Sequence, residues 1–400
     1  MARVGIYGGS YNPPHIGHCL AASEMVRHLE LDRLIIMPAA TPPHKSLAAG
    51  SPTAEERLEL CRLSFASIPQ ARVSDLELRR QGPSYTVDTL RELRELYPED
   101  ELFLIMGTDM LLSFDQWRCP EEIAAMATLA VMHREDDEAL WEQVRIKAEA
   151  LSKVMKAKIV LVQNRCVEIS STTVRRLLAM GAPGYLEPSA EKLIRSKGWY
   201  LYGADLKNLP FDELKERSLS LHDEKRRAHV VGCSETAQAL AEHYGADPDL
   251  AARAGILHDI TKALGPTEQL HLCEKYGIVL TELQRANPKL LHAKTGAVIA
   301  REIFGESDEV CEAIRWHTTG KPQMTLLEKI IYLADYIEPN RDFPGVEALR
   351  QAVWEELDKG LYQGLDLSLR ILRKQGRIID PDSLQAWEYY KKYTERSNQL

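Results

Sequence analysis

The amino-acid sequence predicts a protein of two parts, an α/β domain with a doubly wound parallel sheet followed by an all-α helical bundle. In the first half, short aliphatic and β-branched runs alternate with amphipathic stretches, which is typical of parallel strands joined by crossover helices. Beyond Tyr202 the strand-like runs stop, and helical periods follow one another along the second half. A length of 400 residues suits two or three domains of ordinary size.

The elements of the first half follow from short apolar runs, which predict strands, and longer amphipathic periods, which predict helices. A polar break at Gly203 ends this pattern and predicts domains over residues 1–202 and 207–400, with a linker over 203–206. The predicted strands are Arg3–Tyr7, Leu34–Pro38, Arg72–Ser74, Leu102–Met106, Thr128–Met132 and Ile159–Val162. The predicted helices between them include Thr53–Ala66, Thr86–Leu96 and Trp141–Met155.

The second half carries apolar residues at helical spacing in nearly every segment, and this pattern predicts helices without strands. A bundle of such helices can bring buried side chains from several of them to one point. The predicted helices are Phe211–Ser218, Ala228–Tyr244, Asp249–Lys262, Pro266–Tyr276, His292–Ile303, Asp308–His317, Leu326–Ile337, Val346–Leu361 and Leu365–Lys374.

Composition and charge disfavour several classes of protein. The net charge is −9 at pH 7, so the basic surplus of a protein that binds duplex nucleic acid is missing. The sequence has no apolar run of about 20 residues that could cross a membrane, and its N-terminus reads directly into a strand. The seven cysteines form no C-x-x-C pair, which disfavours a disulfide framework or a zinc ribbon. We therefore expect a cytoplasmic protein without nucleic-acid or membrane partners.

A phosphate-binding turn is predicted where the first strand ends. The strand runs into Gly8-Gly9-Ser10 and then into a helix that begins near His15. Glycines let backbone N–H groups approach a phosphate, and the helix N-terminus adds further donors. His15 and His18 lie three residues apart, so both imidazoles face the same point. Such a pair alone is commonly two surface histidines, but after a strand and a glycine turn it suits a pyrophosphate leaving group.

A second candidate anion site follows the last predicted strand. Ser170, Ser171 and Thr172 open a helix that carries Arg175 near its start. A plain N-cap also explains hydroxyl residues at this place, whereas an arginine can bind phosphate oxygens with two nitrogens. Lys45 ends a stiff proline-containing loop and adds a further cation.

Together these motifs make the first 202 residues resemble the nucleotidyltransferase superfamily, with its Rossmann-like fold, and within it the nicotinate mononucleotide adenylyltransferases. The resemblance rests on the runs Gly8–His18 and Ile169–Arg175, with Tyr11 standing where the family usually has Phe. Further matches are Pro42–Lys45, Ser84–Leu90, Gly107–Leu111 and Phe114–Trp117.

The resemblance also implies which residues bind each substrate and which are catalytic. The implied ATP-binding residues are Gly8, Gly9, Ser10, His15, His18, Ser170, Ser171, Thr172 and Arg175. The implied nicotinate mononucleotide-binding residues are Lys45, Thr86, Gly107, Asp109 and Trp117. The implied catalytic residues are His15, His18, Lys45 and Arg175.

The implied reaction is in-line attack of the nicotinate mononucleotide phosphate on the α-phosphorus of ATP, with release of pyrophosphate. Positioned donors and Mg²⁺ held mainly by the phosphates would supply catalysis. Phosphopantetheine or cytidylyl transfer is a sister interpretation, which Thr86, Asp109 and Trp117 disfavour. An RNA-binding protein is a third interpretation, because the His15–His18 string also occurs in class I aminoacyl-tRNA synthetases, and net acidity disfavours it.

In the second half, ionisable residues lie on the apolar faces of five predicted helices. One buried histidine is commonly a satisfied core residue, whereas a buried carboxylate needs a partner. Five helices that each carry a histidine or an aspartate on the apolar face, together with an adjacent aspartate, predict a metal site inside the bundle. The candidate ligands are His229, His258, Asp259, His292, His317 and Asp335.

The His258-Asp259 doublet and the order of this set make residues 207–400 resemble the HD-domain phosphohydrolases. The match is closest to the bacterial family that cleaves diadenosine tetraphosphate symmetrically. It implies two transition-metal ions bridged by Asp259, which would also be catalytic; iron and manganese suit such mixed ligands, and zinc is a further option. Lys262 and Arg341 are the implied phosphate-binding residues, and exposed surface cations are their plain alternative. The matching strings are Lys225–Gly232, Leu257–Lys262 and Ala334–Val346.

The sequence thus predicts a bifunctional enzyme that acts on ATP, nicotinate mononucleotide and diadenosine tetraphosphate. One alternative makes the second half a non-catalytic metal- or nucleotide-binding regulatory module, and another makes it a phosphohydrolase of a different nucleotide. The complete set of six candidate ligands favours catalysis. A homodimer is compatible with the sequence but is not implied by it.

Overall fold

The computed structural model describes residues 1–42, 47–48, 50–133 and 137–397. The chain divides into two compact units, Met1–Ala204 and Asp205–Leu400. Over the described residues, the first unit is α/β and the second is all-α, which confirms the predicted fold class. Among the described helices, none combines the length and the apolar composition that crossing a membrane requires.

The first unit is built on one parallel sheet. Its strands are β1 (Arg3–Gly9), β2 (Arg33–Pro38), β3 (Ala71–Val73), β4 (Glu101–Gly107), β5 (Thr128–Met132) and β6 (Ile159–Val162). They coincide with the six predicted strands, with ends that differ by about one or two residues. The order across the sheet is β3-β2-β1-β4-β5-β6, and every neighbouring pair is parallel. The order reverses between β1 and β4, and such a switch point is where open α/β sheets bind ligands.

Helices cover both faces of this sheet. They are α1 (Ile16–His28), α2 (Ala54–Ser64), α3 (Thr86–Leu96), α4 (Thr108–Leu112), α5 (Pro120–Met126), α6 (Glu138–Met155), α7 (Ser171–Ala179) and α8 (Pro188–Lys197). Residues of β4 alternate between the faces, as the period of a strand requires. Leu102 and Leu104 are buried against α3–α6, whereas Phe103 and Ile105 are buried against α1 and α2. The central strand therefore has both faces covered.

The second unit is a bundle in which α10, α11, α15 and α16 pack around one point. Its helices are α9 (Phe211–Leu221), α10 (Glu224–Tyr244), α11 (Pro248–Leu257), α12 (Pro266–Lys275), α13 (Glu282–Ala286), α14 (His292–Glu302), α15 (Asp308–Trp316), α16 (Leu326–Ile337), α17 (Val346–Glu355), α18 (Leu357–Lys374) and α19 (Pro381–Ser397). α10 and α11 approach closely where Gly255 faces Ser234. A Cβ at Gly255 would lie only 2.6 Å from the Cα of Ser234. Small residues at this crossing bring the backbones, and the ligand candidates on them, close together.

The structure differs from the predicted helices at the C-terminal end of this bundle. The predicted helix Val346–Leu361 was wrong, because Glu356 is extended, with φ −154° and ψ 113°, and divides it into α17 and the start of α18. The two helices pack closely beyond this break, since a Cβ at Gly360 would lie 2.6 Å from Val353 Cγ2. The last helix, α19, was not predicted, although its Tyr390 is buried.

Candidate active sites

Two adjoining cavities open at the carboxyl ends of the strands in the first unit. The larger has a volume of about 610 Å³ and the smaller about 280 Å³. Both are lined by Ser10, His18 and Asp109. Ser10 follows β1 and Asp109 follows β4, so the cavities meet at the switch point of the sheet. A substrate in each cavity would bring its reacting end to this junction.

His15 and His18 lie together at the start of α1, as the sequence predicts. Their ring centroids are 3.8 Å apart, and both line the larger cavity. The backbone N–H of His15 donates to Nδ1 of His18 over 3.2 Å. In a neutral imidazole, the proton is then on Nε2 of His18, which can donate it to a phosphate oxygen. Gly17 permits this packing, because a Cβ there would lie 3.1 Å from Nδ1 of His15.

The loop after β1 is held from behind by two buried side chains to which the sequence analysis gave no role. Arg57 is fully buried, and its Nη1 donates to the carbonyl oxygen of Ser10 over 2.6 Å while its Nη2 donates to that of Ala40 over 3.1 Å. The hydroxyl of Tyr200 donates to Oδ1 of Asn12 over 2.7 Å. An arginine on the apolar face of a predicted helix is a signal that could have identified Arg57. No comparable signal marks Tyr200.

The hydroxyl residues at the start of α7 divide into a cap and a link to the loop. Oγ of Ser170 accepts the N–H of Thr173 over 3.1 Å, so the N-cap interpretation holds for Ser170. Oγ of Ser171 donates to the carbonyl oxygen of Pro13 over 2.9 Å. Ser170, Ser171 and Thr172 also line the larger cavity, where the sequence places the ATP phosphates.

Arg175 lines the larger cavity and also holds the loop that follows β1. Its Nη1 donates to the carbonyl oxygen of Asn12 over 2.6 Å, and its Nη2 donates to Oγ1 of Thr172 over 3.0 Å. Both terminal nitrogens therefore contact protein atoms in this arrangement. These two bonds use two of the five N–H groups of the guanidinium, so donors remain on the side chain for the phosphate binding that the sequence suggests.

The smaller cavity collects the residues predicted to bind nicotinate mononucleotide. Thr86 is the first residue of α3, so the positive N-terminus of this helix lines the cavity. Trp117 packs 5.5 Å from the ring of Phe114 and offers an indole face for stacking on a flat ring. Lys45 lies outside the described residues. Of the residues predicted to bind nicotinate mononucleotide, those that line the smaller cavity are Thr86, Gly107, Asp109 and Trp117. Four residues predicted to bind ATP also line it: Gly8, Gly9, Ser10 and His18. Of these four, Gly8 and Gly9 do not line the larger cavity.

In the second unit the six predicted ligands lie together, and three of them lie at or just beyond the C-terminal ends of helices: His258, Asp259 and His317. The predicted helix Asp249–Lys262 was wrong at its end, because α11 stops at Leu257 and His258 is its C-cap. His317 is likewise the C-cap of α15. In both cases Nδ1 of the imidazole lies 2.7 Å from a carbonyl oxygen of the last turn, in Gly255 and Ile314. The carbonyl oxygen of Ile314 also accepts the backbone N–H of His317 over 3.4 Å.

Each of the four histidines has an oxygen atom beside its Nδ1. The partner is a backbone carbonyl for His258, His317 and His292, whose Nδ1 lies 3.0 Å from the oxygen of Lys289. Carbonyl and carboxylate oxygens only accept, so each Nδ1 carries a proton, and in a neutral imidazole Nε2 then keeps its lone pair. The Nε2 atoms of His229 and His258 lie 3.3 Å apart. Two lone pairs at this distance fit a shared cation.

Asp259 lies between two pairs of histidines and turns one oxygen toward each pair. Its Oδ2 lies 3.7 Å from Nε2 of both His229 and His258. Its Oδ1 lies 3.5 Å from Nε2 of His292 and 3.6 Å from Nε2 of His317. Oδ1 of Asp259 and Nε2 of His317 are buried without a hydrogen-bond partner among the described residues. Unpaired buried acceptors of this kind fit divalent metal ions.

The electrostatics of the site match ligands that are ready to bind a metal. Burial lowers the pKa of His258 to about 4 and that of His292 to about 3, so both imidazoles are neutral at pH 7. Burial opposes the charge of Asp259, but His258 and His317 hold the pKa of its carboxyl well below its usual range. Neutral imidazoles and an ionised carboxylate are the forms that coordinate metals.

Three basic side chains surround these ligands. Nζ of Lys262 lies 2.8 Å from Nε2 of His292, and Nε of Arg341 donates to the carbonyl oxygen of Asp335 over 2.7 Å. The sequence analysis missed Arg226, whose Nη1 donates to Oδ2 of Asp259 over 2.9 Å. All three side chains are about one third exposed. They place positive charge beside the candidate ligands.

Comparisons with known proteins assign each half to a family. Residues 6–177 match the cytidylyltransferase-like family. A probable nicotinate-nucleotide adenylyltransferase of Shouchella clausii is 35% identical over 202 residues, which are 50% of this chain and 97% of that relative. Residues 226–340 match the HD domain.

The second half also has close relatives. A symmetrical bis(5'-nucleosyl)-tetraphosphatase of Bacillus subtilis is 40% identical over 167 residues, 42% of this chain and 89% of that relative. A crystal structure described as a predicted HD superfamily hydrolase involved in NAD metabolism from Clostridium acetobutylicum is 35% identical and covers 46% of this chain and 98% of its own, with a TM-score of 0.45. The chain therefore belongs to the nicotinate-nucleotide adenylyltransferases of the cytidylyltransferase-like family through its first half, and to the HD-domain family of the symmetrical tetraphosphatases through its second half.

Proposed function

We propose that the first unit transfers AMP from ATP to nicotinate mononucleotide, which gives nicotinate adenine dinucleotide and pyrophosphate. The observation that carries this proposal is the junction of two cavities at His18 and Asp109. ATP would bind in the larger cavity and nicotinate mononucleotide in the smaller one, as in the reaction for which the relative is named. We also propose that the boundary between the two catalytic domains lies within residues 203–206.

The proposed reaction forms one bond and breaks one bond at the α-phosphorus of ATP. An oxygen of the mononucleotide phosphate attacks, and the bond to the bridging oxygen of pyrophosphate breaks. Nε2 of His18 would donate its proton to an oxygen on which negative charge accumulates, with His15 stacked beside it. Mg²⁺ would neutralise phosphate charge when bound. No covalent intermediate with the protein is needed, so positioning and charge stabilisation supply the catalysis.

Replacing Trp117 with alanine tests the assignment of the smaller cavity. We expect the KM for nicotinate mononucleotide to rise by about tenfold, because one stacking contact is worth about 0.5–1.5 kcal/mol, while the KM for ATP stays near the wild-type value. Steady-state kinetics with each substrate varied in turn measure both constants. Trp117→Phe is the matched control, because it keeps a ring and should retain most of the affinity. An equal loss for both substrates would contradict the assignment.

We further propose that the second unit hydrolyses diadenosine tetraphosphate symmetrically to two ADP with two divalent ions, iron or manganese. The observation that carries this proposal is Asp259, whose two oxygens face separate histidine pairs. His229, His258, Asp259 and Asp335 would hold one ion, and Asp259, His292 and His317 the other. Such a pair of ions supplies a nucleophile from water and stabilises the leaving oxygen.

The basic side chains around the ligands would hold the phosphate chain. Lys262, Arg341 and Arg226 lie on different sides of Asp259 and Asp335, so they can contact phosphates that flank the reacting one. A symmetric cut breaks the central P–O–P bridge, and water supplies the oxygen that completes the second ADP. The nucleoside diphosphate leaves as a stable anion.

Product analysis in ¹⁸O-labelled water tests this substrate and this position of cleavage. We expect the full-length, metal-loaded protein to produce ADP alone, with one ¹⁸O in half of the molecules, because water attacks one side of the bridge. Chromatography and mass spectrometry measure both quantities. Products of ATP plus AMP would show asymmetric attack and would contradict the proposal. Absence of hydrolysis in a metal-loaded protein would favour the regulatory alternative instead.

A further inference from the structure

One of the four histidines in the metal site differs from the others in the partner of its Nδ1. For His258, His292 and His317 this partner is a backbone carbonyl three residues earlier in the chain. For His229 it is the carboxylate of Glu338, whose Oε1 lies 3.1 Å from Nδ1. Glu338 follows α16, more than one hundred residues from His229 in sequence. The contact is therefore made by the tertiary fold and not by a local turn.

The surroundings of Glu338 are built to hold its carboxylate in this place. The residue is 1% exposed. Its second oxygen, Oε2, accepts the backbone N–H of Asn340 over 2.7 Å and Nδ2 of the same residue over 2.8 Å. On α10, Gly232 makes room for it, because a Cβ at this position would lie 2.4 Å from Oε2. One oxygen is thus fixed by two donors, and the other is directed at His229.

We propose that Glu338 is a positioning residue that fixes the tautomer and orientation of His229 and thereby sets the affinity of one of the two metal ions. This inference rests on the proposed two-ion function of the site. A carboxylate only accepts hydrogen bonds, so it keeps the proton of His229 on Nδ1 and leaves Nε2 as the ligand atom. It also raises the basicity of the imidazole more than a neutral carbonyl does.

The effect should be confined to one of the two ions. Nε2 of His229 lies 3.2 Å from Oδ1 of Asp335 and 3.7 Å from Oδ2 of Asp259, on the side of the carboxylate that faces His258. His292 and His317 lie on the other side and have their own carbonyl partners. Loss of Glu338 should therefore weaken the binding of one ion and leave the binding of the other nearly unchanged.

Calorimetric titration of the chelator-treated, full-length protein with Mn²⁺ tests the proposal through binding alone. We expect Glu338→Gln to lower the affinity for one of the two Mn²⁺ ions by about 10–100-fold. In this variant the amide oxygen would accept the backbone N–H of Asn340, and the amide NH₂ would face Nδ1 of His229. Nδ1 must then accept, so the proton moves to Nε2 and blocks the ligand atom.

Glu338→Ala provides the decisive comparison. It removes the carboxylate that orients His229, but it places no amide NH₂ beside Nδ1 and so does not force the proton onto Nε2. We expect the isosteric glutamine variant to bind that ion at least as weakly as the alanine variant, whereas a role in folding alone would make the alanine variant the worse of the two. Asn340→Ala, which removes the Nδ2 donor to Oε2 but keeps the backbone N–H, should weaken the binding of the same ion by a smaller factor. This variant keeps the test valid if the Glu338 variants fail to fold.

Glu306→Gln is the matched control. Glu306 is another buried carboxylate of the same unit, and its Oε1 lies 2.6 Å from Nη2 of Arg253. Because it pairs with this arginine and not with a metal ligand, its loss should leave the binding of both ions unchanged. Folded Glu338 variants that bind both ions as tightly as the wild type would overturn the proposal, and so would an equal weakening of both ions. A wild-type protein that binds a single ion would contradict the two-ion function, while the Glu338 variants would still test the inference through that ion.

Discussion

Replacing His18 with alanine is expected to lower the rate of adenylyl transfer by about 10²–10³-fold, the usual cost of removing one donor that stabilises developing charge. His18 lines both cavities, and its Nδ1 accepts a backbone N–H, so in a neutral imidazole Nε2 carries a proton that can be donated to a phosphate oxygen. Alanine removes that donor from the junction at which the two substrates would meet. Hydrolysis by the second unit should stay at the wild-type level, because its ligands belong to a separate compact unit.

The measurement is the rate of formation of nicotinate adenine dinucleotide at saturating substrates, with tetraphosphate hydrolysis assayed on the same preparation. His28→Ala is the matched control, since His28 ends the same helix and lies near Glu24 rather than in a cavity. We expect near-normal transfer by this control. Near-normal transfer by His18→Ala would mean that the junction is not the reaction centre.

The fold of the first unit could be predicted because its signals are local. Each strand is a continuous apolar run, and the turn after β1 combines two glycines with a helix start, so the sequence alone predicts at which end of the sheet the candidate phosphate-binding turn lies. His15 and His18 follow from the same argument, because a spacing of three residues on a helix fixes their proximity.

The support of that turn could not be predicted, because its contacts join distant parts of the chain. Arg57 reaches Ser10 across 47 residues, and Tyr200 reaches Asn12 across 188 residues. No local sequence pattern identifies the partner of either side chain. Arg175 illustrates the same limit, because its residue type suggested phosphate binding while the structure shows that it also holds the carbonyl of Asn12.

In the second unit the ligand set could be predicted and its arrangement could not. Histidines and aspartates on apolar faces are conspicuous, because burying them without partners is costly. The sequence does not reveal that α11 ends at Leu257 with His258 as its C-cap, because the predicted helix runs on to Lys262, whereas the predicted end of α15 at His317 lies within one residue of the observed end. Nor does it reveal Glu338 or Arg226 as partners of His229 and Asp259, because these contacts depend on how α10, α11 and α16 cross.

Replacing Asp259 with alanine is expected to remove both metal ions and to abolish hydrolysis of diadenosine tetraphosphate. The two oxygens of Asp259 face different histidine pairs, so it is the one predicted ligand assigned to both ions. Alanine removes both oxygens, so each ion loses the ligand that the two ions share. Adenylyl transfer should be unaffected, and this activity reports that the full-length variant is folded and active in its other unit.

Metal content of the purified protein, determined by elemental analysis, is the primary measurement because it is independent of substrate choice. Asp249→Ala is the matched control, since Asp249 is an exposed aspartate at the start of α11 and should leave both ions in place. His317→Ala provides the contrast that identifies a bridging ligand. His317 faces only Oδ1 of Asp259, so its loss should remove one ion and retain the other. If Asp259→Ala also retained one ion, Asp259 would not be a ligand of both ions, and the two-ion assignment would be wrong even though the six residues lie together.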